Sequence, residues 1–396
     1  MGNAASDISI FADGEMEREF EAHGGAGDVS VKELISQGYN MVIDSVIRPP
    51  RVAYDLSELG PEVLRLHDPL SHAPVVAKRV DFTLRNERHL NLSCSHWQLL
   101  GDDELTPVPA PCLVYLHSNL GSRKDVLKVR DEALALGFSV VAFDFSGSGN
   151  SDGIYVTMGW NESMDLKSVL DHLETVPSVS DISLYAHSMG GYAALLNIAS
   201  RAQDKSHEVA IAGGGVDAIP APFRRHNLTP FTKRIRGLVL DSAYSTMDMV
   251  TDELVMGVRQ EGFQIPKMLL KTATKFVEKT VEKRADVDLS VLRPVEFAPL
   301  CKVPALLIYG TKDEYIMPEN AEALDAAYAG PHATLPLEVD HYAKRPADSV
   351  RATLLFLRVV HTKINEPAYD ATLSPEFQAE LLRIKQAVFR KSTAAP

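Results

Sequence analysis

The sequence predicts an α/β fold: a mostly parallel central sheet with helices on both faces, an N-terminal antiparallel hairpin and a helical cap insertion. Three observations predict it. Near the start, two alternating runs, Val80-Asp81-Phe82-Thr83-Leu84 and Leu90-Asn91-Leu92-Ser93-Cys94, flank a polar turn, which is a hairpin pattern. Short apolar, β-rich runs then alternate with helical patterns, as βα repeats do. Several of those runs, such as Ala305-Leu306-Leu307-Ile308-Tyr309, are apolar without alternation, which suits strands buried on both faces.

Residues 1–30 are polar and aperiodic and read as a flexible leader. Its first residues, Met1-Gly2-Asn3-Ala4-Ala5-Ser6, fit the N-myristoylation pattern, with Gly2 exposed after removal of the methionine. The main folded domain is expected over 40–366. It opens with an amphipathic segment at about 40–66, containing Ile47-Arg48-Pro49-Pro50-Arg51, and continues with the hairpin. Strands are expected at 112–116, 139–143, 182–186, 238–240, 305–309 and 334–339, and helices near 123–136, 160–175, 190–202, 318–328 and 347–361.

Two insertions interrupt this alternation. Residues 203–236 contain Gly213-Gly214-Gly215 and several prolines and are expected to form a mobile loop. Its end, 222–236, is basic with interleaved aromatics, from Phe223-Arg224-Arg225 to Phe231-Thr232-Lys233-Arg234. One myristoyl chain binds a membrane only marginally, so this stretch could add an electrostatic contact, or it could be a solvated loop. Residues 245–290 place Ile265, Leu269, Ala273, Phe276 and Val277 on one helical face and read as a cap. At the end, Ser374-Pro375-Glu376 starts an amphipathic helix over 374–392, bearing Phe377, Leu381, Ile384 and Val388.

The chain's 396 residues, 45% hydrophobic and 23% charged, can bury a large core, and a net charge of −13 argues against a nucleic-acid partner. Three cysteines in apolar surroundings suit reduced thiols in the cytosol, and no Cys/His spacing suggests a metal. No apolar run reaches the ~18 residues that would span a membrane.

The chemistry concentrates at Ser183-Leu184-Tyr185-Ala186-His187-Ser188-Met189-Gly190-Gly191, an apolar strand that runs into a small-residue turn and then a helix. On such a nucleophile elbow the serine Oγ stands out of the sheet, and the next backbone N–H faces a developing oxyanion. A serine is a weak nucleophile at neutral pH and needs a base, itself oriented by a third group. Both should follow strands later in the chain, because ligand-facing groups collect at the carboxyl ends of parallel strands. Asp313 follows the 305–309 run and His341 follows the 334–339 run, which completes the order Ser188, Asp313, His341. Asp241, ending 238–240, competes for the acid's role. His117, His187 and His332 are poorly placed as bases. Oxyanion donors are expected from the N–H groups of Met189 and of Asn119, with Ser118 second, on the turn His117-Ser118-Asn119-Leu120 that His117 should anchor. The segment Asp144-Phe145-Ser146-Gly147-Ser148-Gly149-Asn150-Ser151 is too weak a glycine pattern for a phosphate loop and reads as a tight turn beside the pocket.

Over about 75–361 these motifs resemble the α/β-hydrolases of the serine aminopeptidase-like group, which also includes monoacylglycerol lipases and protein thioesterases. The matching segments are His117-Ser118-Asn119, Asp144 to Gly149, Ser188-Met189-Gly190-Gly191, Asp241-Ser242-Ala243, Gly310-Thr311-Lys312-Asp313 and His341. Ser118, where the group usually has glycine, and Ala186 in the elbow depart from the pattern. The resemblance implies a cofactor-free serine hydrolase acting on a small-molecule or acylated substrate, as an esterase or thioesterase. A peptidase of the same fold is the alternative, and a non-catalytic, membrane-tethered binding protein is the alternative of another class.

Overall fold

The computed structural model describes residues 40, 43–201, 233–250 and 277–363. In chain order its strands are Val63–His67 (β1), Pro74–Arg85 (β2), Asn91–Leu99 (β3), Ala110–Leu116 (β4), Ser139–Phe143 (β5), Val179–His187 (β6), Ile235–Asp241 (β7), Ala305–Gly310 (β8) and His332–Leu337 (β9). They form one sheet in the order β1-β2-β3-β5-β4-β6-β7-β8-β9. The first three strands and the β3–β5 pair are antiparallel; every pair from β5 through β4 to β9 is parallel. The expected hairpin is β2–β3, tied at its turn by Asn86, whose side chain accepts from Leu90 N–H at 2.9 Å.

Helices Arg130–Ala135 (α1), Trp160–Glu174 (α2), Met189–Arg201 (α3), Pro318–Ala327 (α4) and Ala347–Lys363 (α5) cover the sheet. Strand periodicity assigns their faces. Val114, Leu116, Leu184, Ala186, Leu238 and Leu240 share one core with Leu166 and Leu170 of α2, Leu195 of α3 and Leu324 of α4. The alternate residues Leu113, Tyr115, Tyr185 and Val239 share the other with Leu134 of α1 and Leu354 and Leu357 of α5. Leu354 and Leu357 are fully buried, and each burial contributes on the order of 2 kcal/mol.

Two local outcomes differ from the expected elements. Strand β1 lies within the segment read only as amphipathic; it sits at the sheet edge and buries Leu64 alone. The single helical pattern at 123–136 is divided at Val129, whose φ of −131° leaves the helical region, into a 3-10 segment, Arg123–Lys128, and α1.

The leader with Gly2, most of the basic loop, the centre of the cap (251–276) and the C-terminal helix (374–392) lie outside the described residues. The described flanks of the 245–290 segment bury Met247, Val250, Val277 and Val281 in the core that holds α2 and α3. At the described end of the basic stretch, Lys233 Nζ donates to Leu173 O at 2.7 Å and Arg236 pairs with Asp181 at 3.3 Å. Those contacts are at the amino ends of β6 and β7, opposite the strand ends that carry Ser188 and Asp241. Among the described residues no helix is long and apolar enough to cross a membrane, and no group of three or more His, Cys, Asp or Glu could hold a metal ion.

Candidate active site

Ser188 is the single residue between β6 and α3, and its φ of 53° is a left-handed conformation that non-glycine residues rarely adopt. Two backbone bonds hold it there: Ser188 N–H donates to Asp241 O, and Gly191 N–H donates to Ser188 O, both at 2.8 Å. The turn brings the start of α3 against β4. A Cβ on Gly190 would lie 2.8 Å from both Cβ and the carbonyl oxygen of Leu116, so only glycine fits without movement. Ala186, paired with Leu116 and Leu240 on the neighbouring strands, is fully buried, which suits a small side chain.

The strand ends bring the two later residues to this serine. Asp313 follows β8 on a turn in which its Oδ1 accepts from Tyr315 N–H at 3.0 Å and Ile316 N–H at 2.8 Å. At Gly310 the β8 end meets the chain after β9 so closely that a Cβ would lie 2.3 Å from Val339 O, and this approach delivers His341 to Asp313. His341 Nδ1 is 2.7 Å from Asp313 Oδ2, and its Nε2 is 3.0 Å from Ser188 Oγ. Burial pushes the Asp313 carboxyl up, but the hydrogen bonds from His341 and the two amides outweigh it, and the net shift is down. An ionised carboxylate only accepts, so Nδ1 carries the ring proton and Nε2 accepts from the serine hydroxyl. All three side chains are buried.

The turn after β4 is anchored by His117, as expected. Its Nε2 accepts from Phe145 N–H at 3.0 Å, which leaves Nδ1–H to donate to Ser118 O at 2.7 Å. Burial holds this imidazole below its ordinary value, consistent with a neutral ring that joins the ends of β4 and β5. Asn119 lies on this turn, and Met189 opens α3 directly after Ser188. Ser118 itself is buried.

The segment 144–151 is a structural turn. Asp144, fully buried, accepts from Arg123 N–H, Asn150 N–H at 3.0 Å and the Tyr54 hydroxyl at 2.5 Å. Arg51 clamps its outer side through the carbonyls of Gly147, Ser151 and Gly153, which gives the Ile47–Arg51 segment its role.

The competing residues are engaged elsewhere. The Asp241 carboxylate is paired with Arg345 at 2.8 Å, and His332 pairs with Asp325 at 3.3 Å. His187 packs its ring against that of His341, with centroids 5.2 Å apart. Asp340 orients the loop by accepting from Tyr342 N–H and Ala343 N–H at 3.0 and 2.7 Å. Sequence reasoning missed two features. Arg345 binds the His341 loop and strand β7 together. Tyr315 and Tyr342, 53% and 38% exposed, set their rings 6.0 and 4.6 Å from that of His341; their positions beside Asp313 and His341 were the available signal.

The fold and this arrangement define an α/β-hydrolase, and the sequence matches the serine aminopeptidase S33 family over residues 125–337; the chain belongs to that family and is a serine hydrolase of the α/β-hydrolase type. The match contains Ser188 and Asp313 and stops just short of His341. Similar solved structures include an esterase of Pyrococcus furiosus, 17% identical, covering 86% of this chain and 97% of that one with a TM-score of 0.48. Mouse alpha/beta hydrolase domain-containing protein 10 is 17% identical, with 72% and 99% covered and a TM-score of 0.46. Est1E from Butyrivibrio proteoclasticus is 14% identical, with 72% and 99% covered and a TM-score of 0.46. No curated protein matches the sequence.

Proposed function

We propose that this protein hydrolyses a carboxylic ester or thioester through an acyl-enzyme, with Ser188 as nucleophile, His341 as general base and acid, and Asp313 as the group that orients His341. The observation that carries the proposal is the unbroken chain from Asp313 Oδ2 to His341 Nδ1 at 2.7 Å and from His341 Nε2 to Ser188 Oγ at 3.0 Å. Ser188 Oγ attacks the substrate carbonyl as its proton passes to Nε2, and the Met189 and Asn119 N–H groups stabilise the oxyanion. The imidazolium then gives its proton to the leaving group. Water, deprotonated in turn by His341, releases the acid and restores the serine.

The family match favours a second reading, cleavage of an aminoacyl amide by the same residues. In either reading Gly2 is the acylation site and, with the basic stretch 222–236, gives peripheral membrane contact on the cytosolic side. The anchoring of Lys233 and Arg236 away from Ser188 supports a catalytic end that faces away from such a membrane.

Fluorophosphonate labelling tests the assignment. The wild type should label and Ser188→Ala should not, with unchanged circular dichroism; labelling that persists in the variant refutes it. Rates on short and long acyl esters, thioesters and aminoacyl amides separate the two readings. Neutralising the lysines and arginines of 222–236 should weaken binding to anionic vesicles, and unchanged partition refutes the docking role.

A further inference from the structure

We propose that Arg345 is a positioning residue for the hydrolytic reaction: it ties the backbone of the His341 loop to the strand end that holds Ser188. This rests on the proposed roles of Ser188 and His341. Residues 340–346 follow β9 without regular secondary structure, so the place of the His341 side chain depends on what holds that loop. Three of the loop's carbonyls converge on one guanidinium. Arg345 Nη1 donates to Asp340 O at 2.9 Å and Ala343 O at 3.0 Å, and Nη2 donates to His341 O at 3.2 Å.

The other side of the guanidinium faces β7. Nη2 lies 2.8 Å from Asp241 Oδ1 and 3.1 Å from Ser242 Oγ, and Nε lies 3.1 Å from Asp241 Oδ1. Burial alone would lower the Arg345 pKa, but the Asp241 charge outweighs it and the net direction is up, so Arg345 stays charged. Asp241 completes the link through its own carbonyl, which accepts the N–H of Ser188 at 2.8 Å. One residue therefore grips the nucleophile with its backbone and the base's loop with its side chain. His187, next to the nucleophile, adds a parallel tie: its Nε2 is 3.3 Å from the same His341 carbonyl.

A planar fork of five N–H donors can serve carboxylate and carbonyls together, whereas the three protons of a lysine ammonium radiate from one point and cannot span them. The site that Arg345 lines is not sealed. Arg345 and Asp241 border a small cleft with Tyr115, Lys128, His187 and Tyr342, and this offers a route by which a free guanidinium could replace the side chain.

The test uses the full chain, with kcat and KM on p-nitrophenyl acetate, the rate of fluorophosphonate labelling, and Tm. Displacing a reacting group by about 1 Å costs roughly 10²-fold, so Arg345→Ala and Arg345→Lys should each lose about that factor in kcat with KM nearly unchanged. Added methylguanidinium should restore at least tenfold to the alanine variant and nothing to the lysine variant. A purely structural role would lower Tm without rescue. Wild-type kcat in a folded Arg345→Lys protein, or a folded alanine variant that methylguanidinium fails to rescue, overturns the proposal. If Arg345→Ala does not fold, the lysine variant decides. A wild type that neither labels nor hydrolyses overturns the underlying serine-hydrolase roles instead, which separates that failure from this one.

Discussion

Replacing Asp313 by asparagine should nearly abolish turnover while leaving the protein folded. The side chain keeps its size, and its amide oxygen can still accept from Tyr315 and Ile316 at 3.0 and 2.8 Å. With the oxygen so engaged, the NH2 group takes the place of Oδ2, 2.7 Å from His341 Nδ1. A donor there forces the ring proton onto Nε2, so the Ser188 hydroxyl meets a donor where it needs an acceptor. The corresponding change in a well-studied serine protease lowers kcat about 10⁴-fold, roughly 5 kcal/mol of barrier at 1.36 kcal/mol per decade. Initial rates on p-nitrophenyl butyrate measure it, with Tm as the control for folding. Asp241→Asn serves as comparison and should lose far less, because its carboxylate is engaged by Arg345 and not by the His341 ring. A loss of less than tenfold in Asp313→Asn, or a larger loss in Asp241→Asn, would refute the assignment of the acid.

Two further outcomes follow from packing and burial. Gly190→Ala introduces a Cβ 2.8 Å from Leu116 Cβ and O, an overpacking that should cost about 1–3 kcal/mol; unchanged urea stability would contradict the close approach of elbow and β4. Burial lowers His96, His187 and His361 from about 6.5 to about 4. Between those values the unfolded chain binds more protons, so this stability is present at neutral pH and is lost as pH falls below about 6.5, at roughly 2 kcal/mol per residue by pH 5. Urea melts at pH 7 and 5 measure the difference, and a flat unfolding free energy would show that these rings are not buried neutral.

Much of the candidate site's geometry was legible because its residues are local signals at strand ends. The Ser188 turn, Asp313 and His341 each follow an apolar run, and a parallel sheet must gather such positions at one edge. His117 was legible for the same reason. Order along the chain favours Asp313 and leaves Asp241 as a competitor, because both lie at strand ends; in the structure Asp313 meets the His341 ring at 2.7 Å, whereas Asp241 meets Arg345, more than a hundred positions away in the chain. Arg345 was invisible as a positioning group since its partners converge only after β7 and the His341 loop meet. Strand β1 was missed because an edge strand that buries one leucine leaves little periodicity.

Trapping the acyl-enzyme tests the central claim most directly. The wild-type protein, quenched in acid during turnover of p-nitrophenyl acetate, should carry one acetyl group, and peptide mapping should find it on Ser188. Turnover without any covalent adduct, or an adduct on another residue, would contradict a Ser188 nucleophile held by His341 and Asp313.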